Sequence, residues 1–159
     1  MRLTVYTDYA LRMLMYLALK DDELATISEI AARYRISKNH LMKVAHQLGL
    51  AGYVETVRGR SGGLRLARPT GEIGLGEVVR HTEQDIALVP CFTAETQPCA
   101  IAPGCVLKRA LSRASEAFFE ALDDYTLADL VKPRSALRGL LAIEMTDGGR
   151  GRGRQPARL

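Results

Sequence analysis

Three cysteines, Cys91, Cys99 and Cys105, fall within fifteen residues of a 159-residue chain that contains no other cysteine. Their segment reads CFTAETQPCAIAPGC. Three soft thiolate donors on one short stretch are the ligand chemistry of a zinc ion or an iron–sulfur cluster. A structural zinc site pairs its cysteines two to four residues apart, whereas seven and then five residues separate these three. The wider gaps let a loop wrap a bulkier object, and a four-iron cube with three cysteine corners leaves a fourth for another donor. A corner held by something other than thiolate is more readily displaced, which suits a sensor. A cysteine nucleophile would need a basic partner nearby, and the segment offers no His and only Glu95 as an acid. An odd cysteine count and no export signal argue against a disulfide framework.

The elements on either side must position that segment. Upstream, residues 3–19 place Tyr6, Ala10, Met13, Leu14, Leu17 and Ala18 at helical spacing. Thr26 or Ser28 can cap a second helix, ISEIAARY, with an apolar face at Ile27, Ile30 and Ala31. A tight turn at Arg35-Ile36 leads to Ser37, which is placed to cap a third helix, KNHLMKVAHQLG, ended by Gly49. That helix has a core face of Leu41, Val44, Ala45 and Leu48 and a polar face with Lys38, Asn39, His40, Lys43 and Gln47. The period then changes: YVETV and LRLA alternate around RGRSGG, a β-hairpin with a basic, glycine-rich tip. Two short helices, a tight turn and such a hairpin describe a winged helix-turn-helix.

Downstream, GEVVRHTEQ predicts a short helix, and Pro90, Pro98 and Pro103 hold the cysteine segment. From Val106 to Tyr125 a long helix carries Leu107, Leu111, Ala114, Phe118, Ala121 and Tyr125 at alternating four- and three-residue steps. That seam suits a helix–helix contact between two copies. The positive end of this helix lies at Cys105 and would attract an anionic sulfur. TLADLV predicts a last turn and SALRGLLAIEM a further helical segment, while GGRGRGRQPARL is of low complexity and is expected to be disordered. The expected fold is therefore mainly α: a winged helix-turn-helix domain over 1–70, the cysteine loop and dimerisation helix over 71–131, a helical segment over 132–147 and an Arg/Gly tail over 148–159.

Charge follows the same division. Residues 1–70 carry eleven Lys/Arg against six Asp/Glu, residues 71–147 seven against twelve, and the last twelve residues four arginines and no acid. A basic module beside an acidic one predicts that the first meets a polyanion. At the start of the third helix Asn39 can bond adenine bidentately, Lys38 and Lys43 can reach guanine or phosphate, and His40 can do either. The wing offers Arg58, Arg60, Ser61 and Arg65, and arginine favours a narrow minor groove. Ser28 and Ser37, at helix starts, can contact phosphate. The apolar first helix carries Asp8 and Arg12 and is too short to span a bilayer, so no membrane partner and a cytoplasmic location are expected.

Taken together, the opening MRLTVYTDYALRMLMYLA, the stretch ISEIAARYRISKNHLMKVAHQLGLAGYVETVRGRSGGLRLARP, the cysteine segment and CVLKRALSRASEAFFEALDDYTLADLV resemble the NsrR/IscR family of winged-helix iron–sulfur regulators, over residues 1 to 131. The resemblance implies a homodimer with crossed long helices and one cluster, of the 4Fe–4S type, per subunit. It implies Cys91, Cys99 and Cys105 as ligands, completed by the aspartate of the partner's first helix, for which Asp8 stands at the matching place. Without the resemblance, Asp8 is an acid in a first helical turn with Arg12 as ion-pair partner. The IscR branch places a histidine where this chain has Lys108, so the pattern, with TLADL, points to the nitric-oxide-sensitive branch. Its implied function is a repressor that binds palindromic operator DNA and releases it when nitric oxide nitrosylates the cluster. Sensing of iron–sulfur or redox status on the same fold, or a zinc-stabilised DNA-binding module, stays open on the residues alone.

Overall fold

The computed structural model describes residues 2–83, 86–92 and 99–143. Helix α1 (Val5–Leu19) is the central rod: Ala10, Met13, Leu14, Tyr16, Leu17, Ala18 and Leu19 along it are all buried. Around it pack α2 (Ile27–Tyr34), α3 (Lys38–Leu50), a hairpin of β1 (Val54–Val57) and β2 (Gly63–Leu66), and α4 (Leu75–Thr82). A long α5 (Val106–Asp123) follows the cysteine segment, and two short helices, α6 (Leu127–Leu130) and α7 (Arg134–Leu140), close the described chain. One core joins α1, α2 and α3 to Val54, Leu64, Ile73, Val78, Leu127, Val131 and Ile143.

Local chemistry accounts for the helix-turn-helix. Of the two expected caps for α2 it is Thr26 that acts, in a reciprocal box with Glu29. Arg35 takes the left-handed conformation, φ 56°, that turns the chain into α3, and Ile36 plugs the turn from inside. The expected core face of α3 is buried at all four positions. Two expectations need correction. Ser37 stands at the N-cap of α3 but its side chain makes no capping bond. Gly49 lies inside α3, which runs on to Leu50, and the left-handed residue after it is Gly52, φ 76°; Gly49 sits near the Val54 carbonyl, where a small residue packs easily.

In the wing, β1 and β2 pair antiparallel with Val54 opposite Leu66 and Val57 opposite Gly63. Ala25 bridges Leu64 from the other side, giving the hairpin a third, one-residue strand. The glycines are structural there. A Cβ on Gly62 would overlap the Val57 carbonyl oxygen, and one on Gly63 would come within 2.9 Å of the Ala25 carbonyl. Arg65, expected at the tip, is instead a strand residue paired to its cross-strand neighbour Glu55 at 3.0 Å.

The wing base is locked to α4. Tyr53 Oη and Arg68 Nη2 both donate to Glu77 Oε1, at 2.9 and 3.0 Å, and the Arg68 guanidinium lies over the Tyr53 ring. Burial pushes the Tyr53 phenol up to about 12, and its bond to the carboxylate adds to that. Helix α5 has no buried residue. It is held to α4 by two hydrogen bonds that Arg80 donates to Asp123 (2.7 and 2.6 Å) and by the same guanidinium over Phe119, 4.6 Å from the ring centre. Gly76 makes this approach possible, since a Cβ there would collide with the Asp123 carboxylate. The expected seam residue Tyr125 lies just past the end of α5, its carbonyl accepting the Leu75 N–H. The C-terminal helical segment packs on the chain's own α1. Arg134 and Arg138 donate to the Ala18 and Leu19 carbonyls at its end, and both reach Asp21.

Gly62→Ala is expected to lower the unfolding free energy by about 1–3 kcal/mol, the usual cost of an added methyl with no room, with the loss confined to the hairpin. Urea denaturation and amide exchange of residues 54–66 measure it; an unchanged midpoint would show that the tip can open without cost.

Candidate nucleic-acid interface and metal centre

The exposed face of α3 is built by exclusion: Leu41, Val44, Ala45 and Leu48 are committed to the core, so Lys38, Asn39, Lys43 and Gln47 stand in solvent. Met42 joins them, half exposed. An apolar side chain off the core stripe and between Asn39 and Lys43 is suited to a thymine methyl; its position outside the apolar period was the sequence signal for it. His40 is drawn sideways, its ring stacked on Tyr9 of α1 at 6.1 Å. Ser37 is exposed at the start of α3 and its side chain makes no capping bond, and a hydroxyl at a helix start is suited to phosphate. Ser28 is exposed in the first turn of α2, and Arg58, Arg60 and Ser61 are exposed at the wing tip. Helix face and wing tip thus present cationic and hydrogen-bonding groups, while the arginines at the wing base, Arg65 and Arg68, are spent on Glu55 and Glu77.

Cys91 lies in a short 3-10 turn, Cys99 precedes a second one, and Cys105 stands at a helix start. Cys91 is in the turn Pro90–Phe92 and half-buried. Cys99 is exposed, and its carbonyl accepts from Ala102 at the head of the turn Ala102–Gly104. Cys105 is the N-cap of α5, and its sulfur accepts the Lys108 N–H at 3.3 Å. Position 108 therefore serves this segment through its backbone, orienting Cys105 at the positive end of α5. All three thiols are free, and in donor type they suit a zinc ion or an iron–sulfur cluster. Among the described residues no three His, Cys, Asp or Glu side chains stand together as a metal-holding group. Residues 93–98, including Glu95, lie outside the described residues. Asp8 is paired within its own helix to Arg12 Nε at 2.9 Å, both side chains nearly half exposed. His81 faces the Tyr53 ring, 5.7 Å away.

A residue that the sequence gave no reason to single out joins these two regions. Glu83 follows α4 on the way to the cysteines, and its Oε1 accepts the Thr4 N–H at 2.7 Å and the Thr7 hydroxyl at 2.6 Å. It thus caps α1 from 79 residues away. Thr7 and Thr82 are both buried beside it, 2.9 Å apart. Each hydroxyl has one proton: with Thr7 donating to Glu83, Thr82 can donate to Thr7 or to the Val78 carbonyl at 2.9 Å, not to both. The network borders an open cavity of about 670 Å³ whose other wall is Lys43, His46 and Gln47 of α3. Only tertiary structure brings these positions together, and no local pattern announces them.

A helix-turn-helix with an adjoining wing, an outward polar face on its second helix and no span long and apolar enough to cross a membrane among the described residues define a DNA-binding transcription regulator of the winged-helix class. Residues 3–133 match the Rrf2 family, described as an iron-dependent transcriptional regulator, and the chain belongs to that family. Similar curated proteins include the HTH-type transcriptional regulators NsrR of Bacillus licheniformis, 51% identical over 89% of this chain and 100% of the relative, and of Bacillus subtilis, 51% identical over 91% and 99%. Protein aau3 of Rhizobium meliloti is 49% identical over 91% and 94%. Among solved structures, CymR, described as the global cysteine regulator of B. subtilis, superposes with a TM-score of 0.67 at 27% identity, covering 84% of this chain and 98% of CymR. The IscR of T. potens gives 0.69 at 24%, covering 87% and 91%, a likeness of fold. With relatives named as transcriptional regulators, the chain is a regulator and not an enzyme.

Thr7→Val keeps the shape and removes the hydroxyl. It is expected to lower stability by about 1–3 kcal/mol, the cost of leaving buried polar groups without partners, measured by urea denaturation. A change within about 0.5 kcal/mol, the size of a surface substitution, would mean that water already serves this network.

Proposed function

We propose that this regulator is a repressor that senses nitric oxide through an iron–sulfur cluster of the 4Fe–4S type. Cys91, Cys99 and Cys105 would hold the cluster, with Asp8 of the partner subunit as fourth donor. The observation that carries the reading is the set of three free thiols ending at the N-cap of a long helix that buries none of its own residues. The half-identical relatives named NsrR and the motif resemblance support the same reading. When bound, such a cluster supplies iron with which nitric oxide reacts.

The chain's own residues supply the rest. Val106 and Leu107 are about two-thirds exposed beside Cys105, and an apolar start of that kind suits a second copy of α5. Because Cys105 caps α5 and Arg80 and Phe119 bind α5 to α4, a shift of the cysteine segment moves the helix through which two copies would pair. The recognition elements would be Lys38, Asn39, His40, Met42 and Lys43 of α3, the wing tip at Arg58, Arg60 and Ser61, and Ser28 and Ser37 on phosphates of a palindromic operator. A coupling of roughly 1–3 kcal/mol between the two regions changes affinity about 5- to 150-fold. The family's description as iron-dependent favours a second reading, in which the signal is iron–sulfur status.

The test is purification without oxygen, a visible spectrum, and titration with nitric oxide or with an iron chelator while binding is followed on an operator selected from random duplexes. Coloured protein that leaves DNA on nitric oxide is expected, with Cys105→Ser colourless and Asp8→Ala bleaching faster. Colourless protein that carries zinc would overturn the cluster assignment. Release by chelation but not by nitric oxide would favour iron status as the signal. Arg60→Ala is expected to weaken DNA binding by about 1–3 kcal/mol while leaving the spectrum intact.

A further inference from the structure

We propose that the cavity between the start of α1, the outer side of α3 and the end of α4 is an effector site. Its ligand is a small organic anion, a carboxylate on an apolar, ring-sized body, that takes Lys43 away from DNA. The cavity, about 670 Å³, falls within the range of about 300–1,000 Å³ usual for small-molecule sites. Three of its lining residues, Lys43, His46 and Gln47, belong to the recognition helix itself.

The walls hold more unspent donors than acceptors. Lys43, His46 and Gln47 are exposed, and among the described residues none of them makes an ion pair or a side-chain hydrogen bond. His81 lines the cavity from α4 and meets the Tyr53 ring edge-on, and a neutral imidazole keeps one N–H to donate. Burial pushes the Tyr6 phenol up, so it keeps its proton and adds an O–H. The one acid among the described lining residues is Glu83. Its Oε1 is spent on the start of α1, accepting the Thr4 N–H and the hydroxyls of Thr4 and Thr7. Lys43 offsets the charge of Glu83, and the amide and imidazole N–H groups remain as a surplus that a carboxylate satisfies with charge-assisted bonds. The Tyr6 ring, packed against the core, and the aliphatic stem of Lys43 supply apolar surface for the ligand body.

A recess favours a free anion over a DNA phosphate, because a duplex carries its phosphates on a stiff convex backbone that meets the rim of a cavity and not its inside. The consequence for DNA follows from Lys43, which lines the cavity and also stands on the exposed face of α3. An anion paired with Lys43 removes one cation from the DNA-facing surface, and by linkage DNA lowers the affinity for the anion. This regulatory step rests on the DNA-binding reading above; occupation of the cavity does not.

The probe is para-fluorobenzoate, followed by fluorine NMR on the full-length chain without DNA. Saturable binding is expected, weakened about ten- to a hundredfold in Lys43→Gln and in His81→Gln, the worth of a hydrogen bond to a charged group. Arg33→Gln, which removes an exposed charge from α2 outside the cavity, is expected to bind as wild type. Absence of saturable binding overturns the proposal, as does equal binding by both cavity variants or equal binding of the uncharged para-fluorobenzamide. Unfolding midpoints equal to wild type in the variants separate loss of contact from loss of fold. In a second arm, duplex binding is measured by fluorescence anisotropy in sodium benzoate against sodium chloride of equal concentration. Benzoate is expected to weaken binding and to make the plot of log affinity against log salt shallower by about one, the loss of one phosphate contact, with no effect in Lys43→Gln. An unchanged slope in wild type overturns the effector role. A chain that binds no duplex in chloride alone would instead refute the DNA-binding reading, and the NMR arm would still test the cavity.

Discussion

One carboxylate, that of Glu83, fastens the start of α1 to the strand of chain that leads to the cysteines. Its Oε1 takes the Thr4 N–H, one of the backbone donors that the start of any helix must satisfy somewhere, and the Thr7 hydroxyl. Water could do so for an exposed helix end, but Thr7 and Thr82 are buried, and buried donors without partners are costly. The position of α1 and the position of the segment after α4 are consequently one variable. Every other element of the recognition module depends on α1: α2 and α3 pack on its apolar side, Ala25 ties the wing to the residues just beyond it, and α7 grips its last carbonyls.

Helix α5 follows a different rule. It is attached by a few polar and cation–π contacts from Arg80, made close by Gly76, and not by a buried face of its own. An amphipathic helix so placed leaves part of its apolar face uncovered in the single chain. Val106 and Leu107 at its cysteine end are its exposed large apolar residues. The contrast is physical: the recognition module is a packed core that resists deformation, whereas α5 is a lever on a charged pivot.

Legibility in the sequence divides along the same boundary. Periodicity and capping chemistry placed α1, α2, α3, the hairpin and α5, because those are decided by residues within a turn or a strand of one another. The four buried positions of α3 and the polar face opposite them were readable for that reason. Cap details were less so: Ser37 and Gly49 carry cap-forming side chains or freedom, yet tertiary packing let α3 run on to Leu50 and left Ser37 without a bond. Arg65 reads as a wing cation until its register opposite Glu55 is known. Glu83, Arg80 and the two α7 arginines were not legible at all, since each acts on a residue at least 43 positions away. The cysteine spacing, in turn, announces a donor set without stating where the sulfurs stand.

The magnitudes fit together without a large rearrangement. A useful regulatory coupling is about 1–3 kcal/mol, and a hydrogen bond to a charged group contributes about 1.5–3 kcal/mol. One or two bonds at Glu83 are therefore of the size needed to bias the placement of α1. Helix α1, fifteen residues and about 22 Å long, joins the end held by Glu83 to the end where α7 and the wing base line one cavity. An open cavity lies between Glu83 and the α3 residues Lys43 and His46.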